Sequence, residues 1–252
     1  MVRRFGAFLQ LQEWDKYVDR VDISRFDDIF SEEKIEKVEQ RVSLPKDFVS
    51  LTNNNLSRTA AAARKYLKTR GVTKEDVLRW KIGYCLEGEY ANRIIVPSFG
   101  ESGYANYFVA RSYINGGYRY KNPPASRDMV FNQLYVDWDE DLIIVEGVFD
   151  AIVAGPNAVP ILGSNLRENS VLFQEIVKHD TPVYIALDPD MEKKALKLIN
   201  KLLLYGIELH KVEISPYDDV GEMTKEEFQK RKERSISFNS ENYLLHQMIN
   251  SF

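Results

Sequence analysis

The rhythm of apolar and polar positions changes twice along the chain. Residues 5–17 carry apolar residues at helical spacing, predicting a short amphipathic helix. Residues 19–42 are charged and weakly apolar and run into Ser43-Leu44-Pro45, the pattern of a linker with some helix. Ser57 is placed to cap a helix through Ala60 to Thr69. Gly71 ends that helix, and Thr73 caps a second over Lys74 to Trp80. Short strand-like runs follow at Arg93–Pro97, Tyr107–Arg111 and Tyr118–Tyr120, with Gly100, Gly103 and Gly116-Gly117 between them as hairpin turns. These residues predict a small α+β unit.

Beyond Leu142 the grammar is different. Strand patterns at Leu142–Glu146, Ala158–Leu162, Val183–Leu187 and Glu208–Ile214 alternate with helix patterns at Phe149–Ala154, Asn169–Lys178 and Glu192–Tyr205, the last stopped by Gly206. Such alternation predicts an α/β, doubly wound parallel sheet. The expected organisation is an amino-terminal helix and linker over 1–50, an α+β subdomain over 51–138, a parallel-sheet domain over 139–232 and a tail over 233–252. The tail reads as an end helix or a partner contact.

Composition narrows the class. The chain has 252 residues, 44% of them hydrophobic and 29% charged, the balance of a water-soluble globular protein. No apolar run is long enough to span a bilayer, and the opening residues are too polar for a signal peptide, so a cytoplasmic location without membrane contact is expected. Cys85 stands alone, which excludes an internal disulfide and a CxxC zinc ribbon. The histidines, His179, His210 and His246, are far apart in sequence, and no zinc site is expected in this chain. The net charge of −4 excludes a uniformly basic surface. It leaves room for a patch, because Arg58, Arg64, Lys65, Lys68, Arg70, Lys74, Arg79 and Lys81 crowd one stretch and Arg111, Arg119, Lys121 and Arg127 another.

The acids fall at equivalent places. Glu146 ends the first strand of the second half, Asp188 and Asp190 follow the third, and Asp218 and Asp219 follow the fourth. In an open parallel sheet these strand ends share one rim, where ligands bind. Asp150, four residues after Glu146, can face the same crevice. Carboxylates gathered there repel one another and call for a hard divalent cation with oxygen ligands. Magnesium uses few carboxylates and completes its shell with water and substrate phosphates, which points to chemistry on phosphates. Taken singly, Asp190 is also a helix cap and Asp218 an Asx turn. A glutamate directly after Leu-Ile-Ile-Val is harder to explain as structure alone. Receiver domains and haloacid-dehalogenase-like phosphatases also place acids at strand ends, but they use an aspartate after the first strand, where this chain has Glu146-Gly147.

Val145-Glu146-Gly147-Val148-Phe149-Asp150 resembles the glutamate motif of the Toprim domain, and Ala186-Leu187-Asp188-Pro189-Asp190 its Asp-x-Asp motif. Leu162-Gly163-Ser164 resembles the loop after its second strand, and Asp219-Val220-Gly221-Glu222 the acidic segment after the last core strand in primases. Upstream, Tyr66-Leu67 with Arg70-Gly71, Gly83-Tyr84, Arg93–Pro97 and Tyr118-Arg119-Tyr120-Lys121-Asn122-Pro123 resemble, in order, the motifs of DnaG-type primases of bacteria and phages. The resemblance covers roughly residues 43–230 and implies a parallel-sheet Toprim domain preceded by a small α+β primase subdomain.

That resemblance implies a DNA primase core that makes short RNA primers on single-stranded DNA from ribonucleoside triphosphates, using Mg2+ or Mn2+. It implies metal binding by Glu146, Asp188, Asp190 and Asp219 with Asp150 and Glu222 in support, and catalysis centred on Glu146, Asp188 and Asp190. Glu146 is a candidate general base or metal ligand, and sequence does not choose. Arg93, Arg111, Arg119 and Lys121, with the Gly163-Ser164 loop, are implied to face nucleotide or template. A replicative helicase is the implied partner. Such primases also carry a zinc ribbon, expected here upstream or in trans, since Arg3–Leu9 resemble the segment that follows one. The chain departs from the pattern at Phe131-Asn132-Gln133-Leu134, which offers no lysine, and it contains no P-loop. A Toprim nuclease and a non-catalytic DNA- or helicase-binding module are the alternatives. The Lys65-to-Gly83 run favours a primase over the first, and the intact acids disfavour the second.

Overall fold

The computed structural model describes residues 39–53, 58, 60–163 and 166–239, apart from the side chains of Asp190, Glu192, Lys193 and Lys194. The helix expected at 5–17, the Ser57 cap, Ser164, the Asp190 carboxylate and residues 240–252 lie outside the described residues.

The first sheet is antiparallel, in the order β1 (Phe48–Ser50), β2 (Gly83–Cys85), β3 (Arg93–Phe99), β4 (Ala105–Ser112). Helices α1 (Ala60–Thr69) and α2 (Lys74–Arg79) connect β1 to β2. The second begins with a capping box: the Asp76 amide donates to the Thr73 hydroxyl at 3.2 Å, and the Thr73 amide donates to the Asp76 carboxylate at 2.8 Å. Gly83 is required by packing, because a Cβ there would sit 2.2 Å from the Phe48 ring and 2.6 Å from the Val49 carbonyl oxygen.

The second sheet runs β6 (Ala158–Pro160), β5 (Leu142–Val145), β7 (Val183–Ala186), β8 (Leu209–Lys211), β9 (Ile236–Phe238). The first four strands are parallel and β9 is antiparallel to β8. Helices α3 (Val148–Ala154), α4 (Val171–His179) and α5 (Glu192–Leu204) link the parallel strands, and α6 (Lys225–Glu233) leads into β9. Val145 pairs with both Pro160 and Ala186, so the chain leaves β5, β6 and β7 on one rim. This is the parallel α/β sheet the sequence predicts, preceded by an α+β unit. One apolar cluster spans both sheets, with Ile94, Val96 and Val109 from the first and Leu142, Ile144 and Ile185 from the second.

Four elements fall outside the predicted pattern. Strands β1, β2 and β9 are only 3 residues long, too short to show alternation, and β1 and β9 fall in segments read as linker and tail. Helix α6 is nearly all polar, with Phe228 as its buried residue, so it carries no apolar stripe. Tyr118–Tyr120 is not a strand but a loop joined to β4 by one bridge, Arg111 to Tyr120. Among the described residues no helix is long and apolar enough to cross a membrane.

Candidate active site

The rim of the parallel sheet opens into a cleft of about 400 Å3 lined from both sheets. The second sheet contributes Glu146, Gly147, Phe149, Asp150, Gly163, Asp188 and Asp219. The basic residues opposite are Arg70 from the turn after α1, Arg111 from β4, and Arg119 and Arg127 from the loops that follow. Glu146 directly follows β5 and Asp188 lies two residues beyond β7, so the register of Val145 with Ala186 brings the two acids side by side.

Asp150 is 8% exposed and stands in the first turn of α3. Its Oδ2 accepts from the Gly147 amide at 2.8 Å and its Oδ1 from the Gly221 amide at 2.9 Å. It therefore fastens the glutamate motif to the turn that follows Asp219. Gly221 allows the approach: a Cβ there would lie 2.9 Å from Asp150 Oδ1 and 3.1 Å from Asp219 Oδ1. Burial first, then the charge of Asp219, raises Asp150 to about 6, against the two amide hydrogen bonds and Arg70, which lower it. Burial, followed by the charges of Asp150 and Glu146, raises Asp188 to about 8. The site thus holds more negative charge than its own surroundings neutralise.

One observation fits these acids to a divalent ion. Asp188 Oδ1 and Asp219 Oδ1 are buried without a hydrogen-bond partner, the condition of oxygens that await a cation. No three His, Cys, Asp or Glu side chains among the described residues enclose a common point. An ion held here would complete its shell with water and phosphate oxygens, which suits magnesium-like coordination rather than a closed protein cage.

The basic wall is equally unbalanced. Arg111 is 7% exposed, and its Nε has no partner. Its guanidinium lies 5.1 Å from the Tyr120 ring centre and 5.2 Å from that of Phe149, and donates to the Tyr120 hydroxyl. Arg70 sits 5.4 Å from the Phe149 ring centre, also with Nε unpartnered. Neither pairs with a carboxylate among the described residues. Guanidiniums in that state, Arg111 buried and Arg70 half-buried, suit the anionic oxygens of a phosphate ligand.

Other expected site residues stand elsewhere. Arg93 spends its guanidinium on backbone carbonyls, those of Ala110 at 3.4 Å, Arg119 at 3.3 Å and Tyr118 at 2.8 Å. Lys121 pairs with Glu89 at 3.2 Å and faces Tyr90. Glu222 accepts from the Asp218 amide at 3.2 Å and is not part of the cleft wall. Arg70, Asn122 and Arg127 line the cleft without having been singled out as site residues. For Arg70 the signal was its place in the Arg-Gly pair that ends α1. Asn122 fixes the β4 edge by accepting from the Ala110 amide at 3.2 Å, and Arg127 donates to the Leu162 carbonyl at 3.2 Å.

No family model matches the chain. It is similar to a DNA primase of Thermotoga maritima, 24% identical over 253 residues, covering 92% of this chain and 42% of that protein. The chain thus spans less than half the length of this curated relative. Among solved structures, the DnaG primase catalytic domain bound to single-stranded DNA superposes with a TM-score of 0.64 at 18% identity, covering 77% of each chain. The Aquifex aeolicus primase, comprising zinc-binding and RNA polymerase domains, gives a TM-score of 0.59 at 22% identity, covering 72% of this chain and 57% of that one. The fold is that of the DnaG catalytic core.

Proposed function

We propose that this chain, related in sequence and fold to DnaG-type DNA primases, is a primase catalytic core that joins ribonucleotides on a single-stranded DNA template. The observation that carries the proposal is the opposition, across one cleft, of Glu146, Asp150, Asp188 and Asp219 to Arg70, Arg111 and Arg119. A phosphodiester-forming site needs both walls. In the reaction a 3′-hydroxyl attacks the α-phosphorus of a nucleoside triphosphate in line, and pyrophosphate leaves.

Asp188, Asp219 and Glu146, with Asp190, would hold Mg2+ or Mn2+. A bound divalent ion supplies charge neutralisation and a lowered pKa for the attacking hydroxyl. Asp150 is a positioning residue, since both its oxygens brace backbone amides. Arg111, buried against Phe149, and Arg70, half-buried against the same ring, would bind phosphate oxygens where partial desolvation strengthens each charge–charge contact. Arg119 extends the same wall toward the solvent. Such a core acts in the cytoplasm, with a replicative helicase as partner and a zinc-binding domain working beside it.

The test is incorporation of labelled ribonucleotides on single-stranded DNA with magnesium or manganese, with and without a zinc-ribbon domain supplied in trans. Short RNA products that vanish in Asp188→Ala support the proposal. DNA cleavage with no ribonucleotide incorporated would replace it with a Toprim nuclease.

A further inference from the structure

Helix α6 begins with a lysine. Lys225 is its first residue, after the Thr224 cap, where a helix presents its positive end and favours acids such as Glu226 and Glu227, which follow. A cation in that place works against the helix and needs a partner elsewhere. The partner is Asp76, 149 residues upstream in α2, whose Oδ1 accepts from Lys225 Nζ.

Asp76 is 5% exposed, and its Oδ2 is already committed to the Thr73 amide at 2.8 Å and the Thr73 hydroxyl at 2.9 Å. The carboxylate is therefore fixed, and the lysine comes to it. An exposed ion pair is worth little, but a buried carboxylate that loses its cation is left with an uncompensated charge. The pair stands on the wall of a cavity of about 370 Å3 between α2, α3 and α6, lined also by Ile152 and Val153 of α3. With that space beside it, the bridge is a point contact and not part of a packed wall. Asp150, on the same helix α3, lines the carboxylate cleft instead, so the bridge lies behind the cleft and outside it.

The chain between this contact and the cleft is short and stiff. Asp219 lines the cleft, and residues 220–222 form a 3-10 turn. The Glu222 amide donates to the Asp219 carbonyl at 3.3 Å and the Met223 amide to the Val220 carbonyl at 3.1 Å. Val220 and Met223 are buried. Asp150 holds the Gly221 amide and Asp76 holds Lys225, so the segment is pinned at two points. Asp219 Oδ1 has no hydrogen-bond partner, so the backbone that carries it sets its place.

We propose that Lys225 is a positioning residue: clasped by Asp76, it anchors the 219–225 segment from outside the cleft and so sets the Asp219 carboxylate for a divalent ion. The proposal rests on the reading of the cleft acids as metal-binding and adds what holds one of them in place.

Titration calorimetry with Mn2+ alone, without nucleotide, reads the site directly. Lys225→Met keeps the stem and removes the charge. It should weaken Mn2+ about fivefold or more, toward the ~10–100-fold scale of groups bonded directly to metal ligands. Asp76→Asn, made from the other side of the contact, should do the same, and the two together should cost no more than either alone, since both act through one bond. Lys225→Arg should stay close to wild type. Hydrogen exchange at the Gly221 amide should quicken in Lys225→Met and not in Lys225→Arg. Lower melting temperatures with wild-type Mn2+ affinity in Lys225→Met and Asp76→Asn would make the pair a brace for stability only and overturn the assignment. So would an equal loss of Mn2+ affinity in Gln229→Ala, which frees α6 from the Ala154 carbonyl without touching the pair. Wild-type protein that binds no Mn2+ removes the metal reading and this role with it. If the Mn2+ pattern holds but the wild type incorporates no ribonucleotide, the positioning role stands and the primase reading falls.

Discussion

Asp150 Oδ1 accepts a hydrogen bond from the Gly221 amide, 71 residues downstream, at 2.9 Å. Through it the end of β5 and the loop after β8 are held together, although no strand pairing joins them directly. Asp150→Ala leaves two half-buried amides unpaired, and we expect a loss of about 0.5–1.5 kcal/mol per lost hydrogen bond, with the larger effect at Gly221, which has a longer loop to release. Urea denaturation measures it. A midpoint within error of wild type would mean that the two amides find other partners.

Gly221→Ala tests the same joint differently. The added methyl would press on Asp150 Oδ1 at 2.9 Å and Asp219 Oδ1 at 3.1 Å, so one carboxylate must move. We expect ribonucleotide incorporation to fall at least about tenfold, since displacements near 1 Å cost on the order of a hundredfold when geometry is catalytic. Stability should change little by comparison. Full activity would show that the Asp219 carboxylate is not held in a fixed place for catalysis.

The raised acids predict an unusual pH dependence. Asp150 and Asp188 titrate at about 6 and about 8 in the folded protein, above their ordinary 3.8. Each holds its proton more tightly when folded, so each favours the fold fully below about pH 4, and that contribution is lost as pH rises through about 6 and about 8. Metal-free protein should therefore melt lower at about pH 8.5 than at about pH 5, and magnesium should restore more at the higher pH, because it needs ionised ligands. Asp188→Ala should flatten the upper part of the decline and diminish the magnesium response. A metal-induced shift identical to wild type in that variant would place the ion elsewhere.

The two basic residues flanking Tyr120 should behave differently. Arg119 lines the cleft, whereas Lys121 is paired with Glu89 at 3.2 Å. Arg119→Ala should flatten the salt dependence of single-stranded DNA binding by about 0.7 per lost phosphate contact, and Lys121→Ala should leave the slope nearly unchanged. Equal slopes in the two variants would refute the distinction.

Glu146→Gln keeps size and hydrogen bonding but removes charge and basicity. We expect a loss of at least about a hundredfold in primer synthesis with nucleotide binding retained. Partial rescue by manganese would mark a ligand, and partial rescue by higher pH a base. Activity within a few-fold of wild type would remove Glu146 from the chemistry.

What the sequence made legible, and what it hid, follows from which interactions are local. The strands from Leu142 to Ala186 are apolar runs with helices between them, and the Thr73 cap is written in adjacent residues. The acids could be placed because a parallel sheet sends its strand ends to one rim. The basic side could not be sorted in the same way. Arg93 and Lys121 differ from Arg111 and Arg119 only in what they meet across space: carbonyls of the Tyr118 loop for Arg93, Glu89 for Lys121. Arg70 stands out in the sequence only as the arginine of the Arg70-Gly71 pair after α1, and folding separates it from Lys65 and Lys68 by setting it in the cleft wall. The strand β9 has no pattern of its own and exists because β8 offers an open edge.

The apolar cluster shared by the two sheets governs how the cleft can move. Ile94 and Val96 lie in the same cluster as Leu142 and Ile144, so prising the sheets apart would bring that interior into water at about 25 cal/mol for each Å2 exposed. A few hundred Å2 would consume much of the ~5–15 kcal/mol by which a domain is stable. The cleft is therefore a notch cut into one solid body, not the gap of a hinge. Whatever enters the cleft comes through its mouth, past the loop that Arg93 pins at the Tyr118 and Arg119 carbonyls and whose Tyr118 is 86% exposed.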